Sequence, residues 1–294
     1  MANLKAIRSR VNSVKSTKQI TSAMKMVSAA KLRKAQDKIV RLRPYANKLH
    51  EIQVDLSRSL ADSEVENIYG KVIPPGKVLI VVITSNRGLC GAFNSNVIKE
   101  ARNLISEKYY EQFKSGNLKL LTIGKKGFDF FRKLSLNMLP EQNSLLNDLS
   151  FENSAEVAEQ IMNSFVSGEF NRVELIYNQF KNAGVQNLTT ELFLPVETAP
   201  PGEATTSPFD YIYEPDKLDI INELIPKSLK IQFYKAVLNS FVAEHGARMT
   251  AMHKATDNAT TMIRELTLQL NKARQATITN QILEVVSGAD ALRG

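Results

Sequence analysis

The sequence has one cysteine, Cys90, among 294 residues. A lone cysteine cannot form a disulfide within the chain, which suits a reducing compartment. The sequence also has no run of about 18 apolar residues, so no transmembrane segment of its own is expected. The amino terminus lacks the apolar region of a secretory signal. These absences exclude a disulfide-stapled secreted protein and a protein built from membrane-spanning helices.

Residues that could support catalysis are also scarce. The three histidines, His50, His245 and His253, fall on predicted helices outside the segment that holds Cys90, so no general base accompanies the thiol. A metal site would need more ligands at helical spacing than His245 and His253 provide. We therefore predict no catalytic residue and no metal ligand, and we interpret Cys90 as a structural or merely tolerated thiol.

Two glycine-containing turns follow predicted strands, where phosphate-binding loops occur. Neither Ser85–Asn94 nor Gly124–Gly127 matches G-x-x-x-x-G-K-[ST] or G-x-G-x-x-G. We therefore predict no cofactor-binding residue. Gly88, Cys90 and Gly91 are interpreted as a tight turn whose glycines also allow a helix to pack closely on a strand. The other segment is interpreted as a plain turn.

Helix breakers are rare near the carboxy terminus. Between Pro226 and Gly288 there is no further proline and only one glycine. As one helix this stretch would reach ~90 Å. From Leu238 to Leu283 apolar residues recur at alternating steps of three and four, which predicts a seam against another helix. His245 and Arg248 lie on that seam and are interpreted as polar interruptions that fix the register or face a partner.

The amino-terminal segment carries a matching stripe. Apolar residues begin the stripe at Leu4 and resume it from Leu32 to Leu60. Between Lys18 and Ser28 the apolar positions move to Ile20, Met24 and Val27, which predicts a local shift of register. Pro44 is expected to kink this helix without ending it. Two stripes at opposite ends of the chain predict an antiparallel coiled coil, with everything between them as an insertion.

The insertion has the pattern of an α/β domain. The predicted strands are 77–84, 118–123, 172–180 and 188–196, and the predicted longer helices are 94–113 and 153–166, with Asn153 or Ser154 as the cap of the second. This alternation predicts a Rossmann-like domain with a mostly parallel sheet. The expected domains are 1–60, 74–215 and 217–294, and the loop 199–215 is expected to contain one short strand, 209–213.

Positive charge is concentrated in the amino-terminal helix. Residues 1–48 hold thirteen Lys and Arg residues and one acid, Asp37, so this segment is +12 and the remainder of the chain is −4. The imbalance favours a polyanionic or acidic partner. Composition alone leaves a nucleic-acid-binding coiled-coil protein open, although no recognition motif accompanies it. A solvated helix face and a mitochondrial transit peptide also remain open.

Three parts of the chain closely resemble the gamma subunit of F-type ATP synthases. They are Ile7–Val14 running into Ile20–Lys31; Arg87–Gly91; and, in the carboxy-terminal helix, Glu244–Met249, Ala255–Ala259, Asn271–Asn280 and Val286–Ala289. The resemblance spans the whole chain. Asn86 stands where the family often has aspartate. Gln281 stands where it usually has glutamate, so no charged role is carried onto that position.

The resemblance implies a function as well as a fold. In the family the terminal helices form a central shaft inside a ring of alpha and beta subunits, and the α/β domain lies beside epsilon and the membrane ring of c subunits. It implies a non-catalytic rotor that couples proton flow to ATP synthesis or hydrolysis at the beta subunits. An initial methionine without a presequence suggests a bacterium, hence a peripheral protein on the cytoplasmic face of the inner membrane. A Rossmann-type enzyme with coiled-coil arms is the remaining alternative.

The resemblance also implies contact residues. It assigns contact with the beta subunit to four residues, Met24, Arg274, Gln275 and Thr279. It assigns an apolar bearing near the carboxy terminus to four others, Ile282, Leu283, Val285 and Val286.

Overall fold

The computed structural model describes residues 4–60, 68–70, 74, 76–134, 136–196 and 217–291. Its helices are α1 (Leu4–Leu60), α2 (Phe93–Glu107), α3 (Tyr110–Lys114), α4 (Lys125–Phe131), α5 (Phe151–Val166) and α6 (Lys217–Ala291). Its strands are β1 (Val78–Ile83), β2 (Leu118–Ile123), β3 (Arg172–Asn182) and β4 (Val185–Leu194). The described residues form two compact units, one holding those up to Ser28 with those from Met249 onward, the other Ala29–Arg248.

In the first unit α1 and α6 run antiparallel. The Thr21 hydroxyl lies 2.9 Å from the Thr256 hydroxyl, and Lys25 Nζ lies 3.4 Å from His253 Nδ1. Residue numbers therefore rise along α1 while they fall along the facing part of α6. The apolar side chains of this seam are Ile7, Val11, Met252, Ala259 and Leu266, all buried. The predicted antiparallel pairing of the two terminal helices is confirmed here.

The predicted register shift between Lys18 and Ser28 is wrong. Thr21 and Ser28 stay buried in the seam, whereas Ile20 and Val27 are 60% and 58% exposed. The polar residues can remain inside because their hydroxyls are satisfied: Ser28 Oγ donates to Met24 O at 2.7 Å, and Thr21 has Lys18 O and Thr256 as partners. Hydrogen-bonded hydroxyls cost little to bury, so the helix needs no change of register.

The predicted seam of α6 is also too long. Beyond Leu266 its positions are largely exposed, and Leu283 is 60% exposed. The described part of α1 begins at Leu4, which the register set by Thr21 and Thr256 places near the level of Ala273. Past that level no described helix of the chain lies against α6.

In the second unit a four-stranded sheet has the order β2-β1-β3-β4. Strand β1 pairs in parallel with β2 and β3, and β3 pairs antiparallel with β4 through the turn at Ala183 and Gly184. All six residues of β1 are buried, as its continuous apolar sequence predicts for a central strand. The mostly parallel sheet predicted from the sequence is confirmed.

Helices cover both faces of this sheet. One face packs against α5 and α6 through residues such as Ile161, Phe165, Phe233 and Val237. The other face packs against α2 and the segment after it, with Tyr109 buried there. On the same part of α6, Ile231 packs with Ala46 and Leu49 of α1. The terminal helices therefore contribute to the core of this unit, and Pro44 lies inside α1 without ending it.

Two local predictions are corrected in the second unit. The single helix predicted over 94–113 is broken between α2 and α3, because Lys108 and Tyr109 turn their side chains onto buried Glu174 of β3. The cap of α5 is Ser150, whose hydroxyl accepts from the Asn153 amide at 3.2 Å.

Two further predictions lie outside what the structure tests. The short strand 209–213 lies outside the described residues. The proposed domain limits 1–60, 74–215 and 217–294 remain predictions. Within the described parts of the chain, no helix combines the length and apolarity needed to cross a membrane.

Candidate functional site

The turn that joins β1 to α2 has unusual backbone geometry. Leu89 adopts φ 64° and Gly91 adopts φ 61°, both in the left-handed region that favours glycine. A Cβ on Gly91 would meet no atom within 4 Å, and one on Gly88 would meet only the end of Lys126 at 3.8 Å. The expected close packing of helix on strand at these glycines is therefore wrong. Gly91 is needed for its φ angle alone.

Arg248 of α6 holds this turn. Its Nη2 donates to Arg87 O at 2.8 Å, its Nε donates to Gly88 O at 3.3 Å, and its Nη1 donates to Glu244 Oε1 at 2.7 Å. Its side chain is 8% exposed. The idea that Arg248 and His245 face a partner is thus wrong, because both are buried among residues of their own unit.

Burial and neighbouring positive charges shift the pKa values of Glu244 and His245, the two titratable side chains beside Arg248. Burial raises the pKa of the Glu244 carboxyl, and the charge and hydrogen bond of Arg248 oppose that rise. Burial, together with the positive charges of Arg248 and Lys31, lowers the pKa of His245 to about 3. His245 is therefore neutral at physiological pH, and its ring packs edge-on against Phe241 with centroids 4.5 Å apart.

The turn is also held from the strand side. Ser85 Oγ donates to Arg87 O at 2.7 Å, and the Asn94 side chain accepts from the Ser85 amide at 2.9 Å. Asn86 Nδ2 donates to Asn143 O at 3.0 Å. Cys90 is 1% exposed, and burial raises its pKa, which disfavours the reactive thiolate.

The close approach expected at Gly88 and Gly91 occurs at a different turn. A Cβ on Gly124 would lie 2.3 Å from Thr84 O, and one on Gly127 would lie 2.8 Å from Thr84 Oγ1. The Gly127 amide donates to that hydroxyl at 2.9 Å. The segment Gly124–Gly127 is a turn that leads into α4 at Lys125, and its two glycines allow a close approach to Thr84 that was not predicted from the sequence. The sequence signal for this close approach was a pair of glycines three residues apart directly after a strand.

The crevice at the carboxyl ends of β1 and β3 is where ligands bind in open α/β sheets. Here Phe93, Phe180, Ala243 and Ala247 pack together with Cys90 in that region. Asn178 Nδ2 donates to Phe93 O at 3.1 Å. These side chains thus pack against one another beside the ends of the two strands. Among the described residues there is also no cluster of three or more His, Cys, Asp or Glu side chains that could hold a metal ion.

The residues assigned to partner contact all lie in the first unit. Arg274, Gln275 and Thr279 are exposed on one stretch of α6, with Thr279 Oγ1 donating to Gln275 O at 3.0 Å. Met24 is half-buried on α1, one residue before Lys25, which contacts His253. The structure therefore groups the three α6 residues and leaves Met24 apart from them.

The apolar bearing predicted near the carboxy terminus is exposed. The exposed fractions are 58% for Ile282, 60% for Leu283, 72% for Val285 and 52% for Val286. Ile278 and Gln281 complete a shallow groove with three of them. Contiguous exposed apolar patches mark interaction sites.

A second exposed apolar group was missed from the sequence. Ile20, Met26 and Val27 on α1 are 60%, 64% and 58% exposed. From the sequence, Ile20 and Val27 are placed in the seam because polar residues stand at the heptad positions beside them, and Met26 is assigned no role. The threonine and serine at those positions, both able to bond to the preceding helical turn, were the available signal.

The family model described as ATP synthase matches residues 3–292. An ATP synthase gamma chain from Flavobacterium johnsoniae is 55% identical over 294 residues, covering all of both chains. The one from Flavobacterium psychrophilum is 54% identical with the same coverage. The chain belongs to the ATP synthase gamma chains.

Solved structures agree with this gamma-chain membership. A chain of the Tetrahymena thermophila mitochondrial ATP synthase central stalk and c-ring is 25% identical, with a TM-score of 0.59, 80% of this chain covered and 99% of that one. A chain of the Euglena gracilis mitochondrial ATP synthase has a TM-score of 0.72 at 22% identity, covering 98% and 94%. The second likeness shows the shared fold.

As a gamma chain, the protein is the rotor subunit of an F-type ATP synthase. The relatives give no support to a nucleic-acid-binding protein. The predicted fold, two long terminal helices with a Rossmann-like α/β domain between them, is that of the family.

Proposed function

We propose that this gamma chain is a non-catalytic rotor that turns inside a ring of alpha and beta subunits. It couples proton flow to ATP synthesis or hydrolysis at the beta subunits. The epsilon subunit and the c-subunit ring are its other partners. The protein works as a peripheral component at the cytoplasmic face of a bacterial inner membrane, in keeping with its similarity to the gamma chains of two Flavobacterium species.

The exposed end of α6 is the observation that carries this proposal. From Ile278 to Val286 five large apolar side chains are between 48% and 72% exposed. A soluble helix that exposes so much apolar surface needs an apolar partner, since each buried CH₂ group contributes about 0.8 kcal/mol. An apolar collar suits rotation, because such contacts are non-directional and impose no fixed angle on the helix.

Polar contacts would supply the angular dependence that a rotor requires. A rotor changes the affinity of a catalytic site only through contacts that differ between orientations. Arg274, Gln275 and Thr279 are exposed next to the apolar end, and Met24 lies on the other helix. One charged and two polar side chains on a single stretch of α6 would meet each beta subunit in turn.

The first test is purification of the complex. A tagged chain is extracted from native membranes in mild detergent, and the co-purifying proteins are identified by mass spectrometry. We expect alpha, beta and epsilon subunits together with the c ring. Recovery of the chain with nucleic acid and without those subunits would contradict the proposal.

Site-specific cross-linking then tests the assigned contacts. Thr279→Cys places an exposed thiol on α6, and the native Cys90 is buried and gives little background. In the assembled complex a thiol-directed photo-cross-linker should link position 279 to beta. Thr190→Cys, exposed on β4, is the matched control and should give no beta product. Equal yields from both positions would refute the assignment.

A further inference from the structure

One turn of α6 is contacted from several sides. It begins at Leu229 and ends at Phe233, two buried residues that belong to the core between α6 and the sheet. Ile231 lies on the other side of the helix, where it packs with Ala46 and Leu49 of α1. Successive residues of a helix are roughly 100° apart around its axis. The two remaining residues of the turn therefore lie on its flanks, between the sheet and α1.

The two flanks of this turn are held differently. On one flank Lys230 Nζ donates to Glu159 Oε2 of α5 at 2.9 Å, and 56% of the Glu159 side chain is exposed. Exposed ion pairs of this kind contribute little. On the other flank Gln232 Nε2 donates to Glu191 Oε1 of β4 at 2.6 Å, and both side chains are partly buried. The second flank therefore carries the stronger of the two polar contacts.

Glu191 also binds the neighbouring strand. Its second oxygen, Oε2, accepts from the Tyr177 hydroxyl of β3 at 2.8 Å, and Tyr177 is buried. Burial and the charge of Glu191 raise the pKa of Tyr177, so the hydroxyl keeps the proton that it donates. Hydrogen bonds to a charged acceptor are shorter and stronger than those between neutral groups. One carboxylate thus joins α6, β4 and β3, with a hydrogen bond on each of its oxygen atoms.

These hydrogen bonds restrict a movement that apolar packing restricts less. Apolar contacts are non-directional, so they oppose separation of α6 from the sheet more than they oppose turning of the helix about its axis. The bond between Gln232 and Glu191 lies on the flank of the helix, so its length and angle change as soon as α6 turns. A hydrogen bond weakens steeply outside a narrow range of distance and angle.

We propose that Glu191 is a positioning residue, which fixes the rotational setting of α6 against the sheet by accepting from Gln232 and Tyr177 at once. In a rotor, a change of angle at one end of a long helix has to be reproduced by the rest of the chain, which requires such a fixed setting. The proposal rests on the rotor function proposed above. It concerns a link within the unit Ala29–Arg248 and assigns no further partner.

The test measures the angular freedom of the rotor directly. The alpha–beta ring of the assembled complex is fixed to glass, and a gold nanorod is attached to the chain through Ser106→Cys, at an exposed position of α2; the native Cys90 is buried. The angular distribution of the rod is recorded without ATP. Gln232→Met removes the donor to Glu191 at a similar side-chain length. Lys230→Met, on the other flank of the same turn, is the matched control.

We expect a wider angular distribution for Gln232→Met than for the native chain. Losing a hydrogen bond to a charged group should raise the population of turned helix by about tenfold or more. Lys230→Met should keep the native distribution. Glu191→Gln keeps the shape of the side chain but loses its charge, and it should give an intermediate width. The rate of ATP hydrolysis without load should be unchanged in all three variants.

A native angular distribution for Gln232→Met would overturn the proposal, and a lower urea midpoint of that full-length variant would then assign the hydrogen bonds to stability alone. Equal broadening in Lys230→Met would also overturn it, because Glu191 would have no special part. If Gln232→Met does not assemble, Glu191→Gln decides: a broader distribution supports the proposal and a native one contradicts it. A native chain that does not bind the ring would instead refute the rotor function itself.

Discussion

The buried pair Glu244–Arg248 gives the sharpest prediction about stability. Replacing Arg248 by methionine keeps an apolar stem but removes three donors, those to Glu244 Oε1, Arg87 O and Gly88 O. Glu244 then stays buried without its partner. Breaking a buried ion pair in this way typically costs about 3–5 kcal/mol, and the two carbonyls that lose a donor add to the loss.

The stability lost on replacing Arg248 by methionine should depend on pH, and it should be larger at higher pH. Burial already raises the pKa of Glu244, and Arg248 opposes that rise. In Arg248→Met the opposition is gone, so the folded carboxyl takes up a proton between its unfolded pKa of about 4.3 and its raised folded pKa. Stability then falls as pH rises through that interval. Lys31 and Arg87 are the remaining positive neighbours, and burial still lowers the pKa of His245 although the contribution of Arg248 is lost.

Urea unfolding of the full-length chain at pH 5 and pH 8.5 is the assay. We expect Arg248→Met to lose more stability at pH 8.5 than at pH 5. The double variant Glu244→Leu with Arg248→Met should recover part of the loss and flatten its pH dependence, because no charge is left buried. A double variant as unstable as the single one, or a greater loss at pH 5, would refute the reasoning.

Three further predictions concern other parts of the chain. Glu174→Gln should cost about 1–3 kcal/mol near pH 7. Burial alone would raise the pKa of Glu174, but hydrogen bonds from Lys108, Tyr109 and Arg172 hold it below its usual value. Stability from a depressed pKa is lost as pH falls, so the urea midpoints of the variant and the native chain should converge as the pH is lowered below the ordinary carboxyl range. Gly124→Ala places a Cβ 2.3 Å from Thr84 O at φ 106° and should cost about 3 kcal/mol or more, whereas Gly168→Ala, at φ 74° with no atom within 4 Å, should cost about 1–2 in the same assay. Met24→Lys should lower proton pumping per ATP while leaving the urea midpoint of the isolated chain nearly unchanged, because a new charge there could bind a beta loop too tightly; unchanged pumping would count against that contact.

Periodicity made the long helices and the sheet predictable. The three-four stripe of α6 and the continuous apolar run of β1 each reflect one dominant interaction, burial of a helix stripe or of a whole strand. The sequence of α6 alone could not show that the buried part of the stripe ends at Leu266. The position of that end depends on where the partner helix α1 begins.

The candidate site was harder to predict, because it depends on contacts between distant residues. Arg248 and the carbonyl of Arg87 are 161 positions apart, and nothing local to either residue indicates the bond. The strain at Leu89 was equally hidden, since leucine is an unusual choice for a left-handed backbone. Thr21 and Ser28 led to the wrong prediction of a register shift. A polar residue at a seam position gives the same sequence pattern whether its side chain is buried and hydrogen-bonded or turned out of the seam.

Gly246, the one glycine of α6 between Pro226 and Gly288, has a mechanical consequence. A Cβ on Gly246 would lie 3.3 Å from Ala183 Cα and 3.4 Å from Phe180 Cε2, so the tip of the β3–β4 hairpin rests in a notch on the helix surface. A helix held at a notch cannot twist about its own axis unless the hairpin is lifted out. Torsion applied to α6 at this level is therefore passed directly to the sheet, and the two move as a single body.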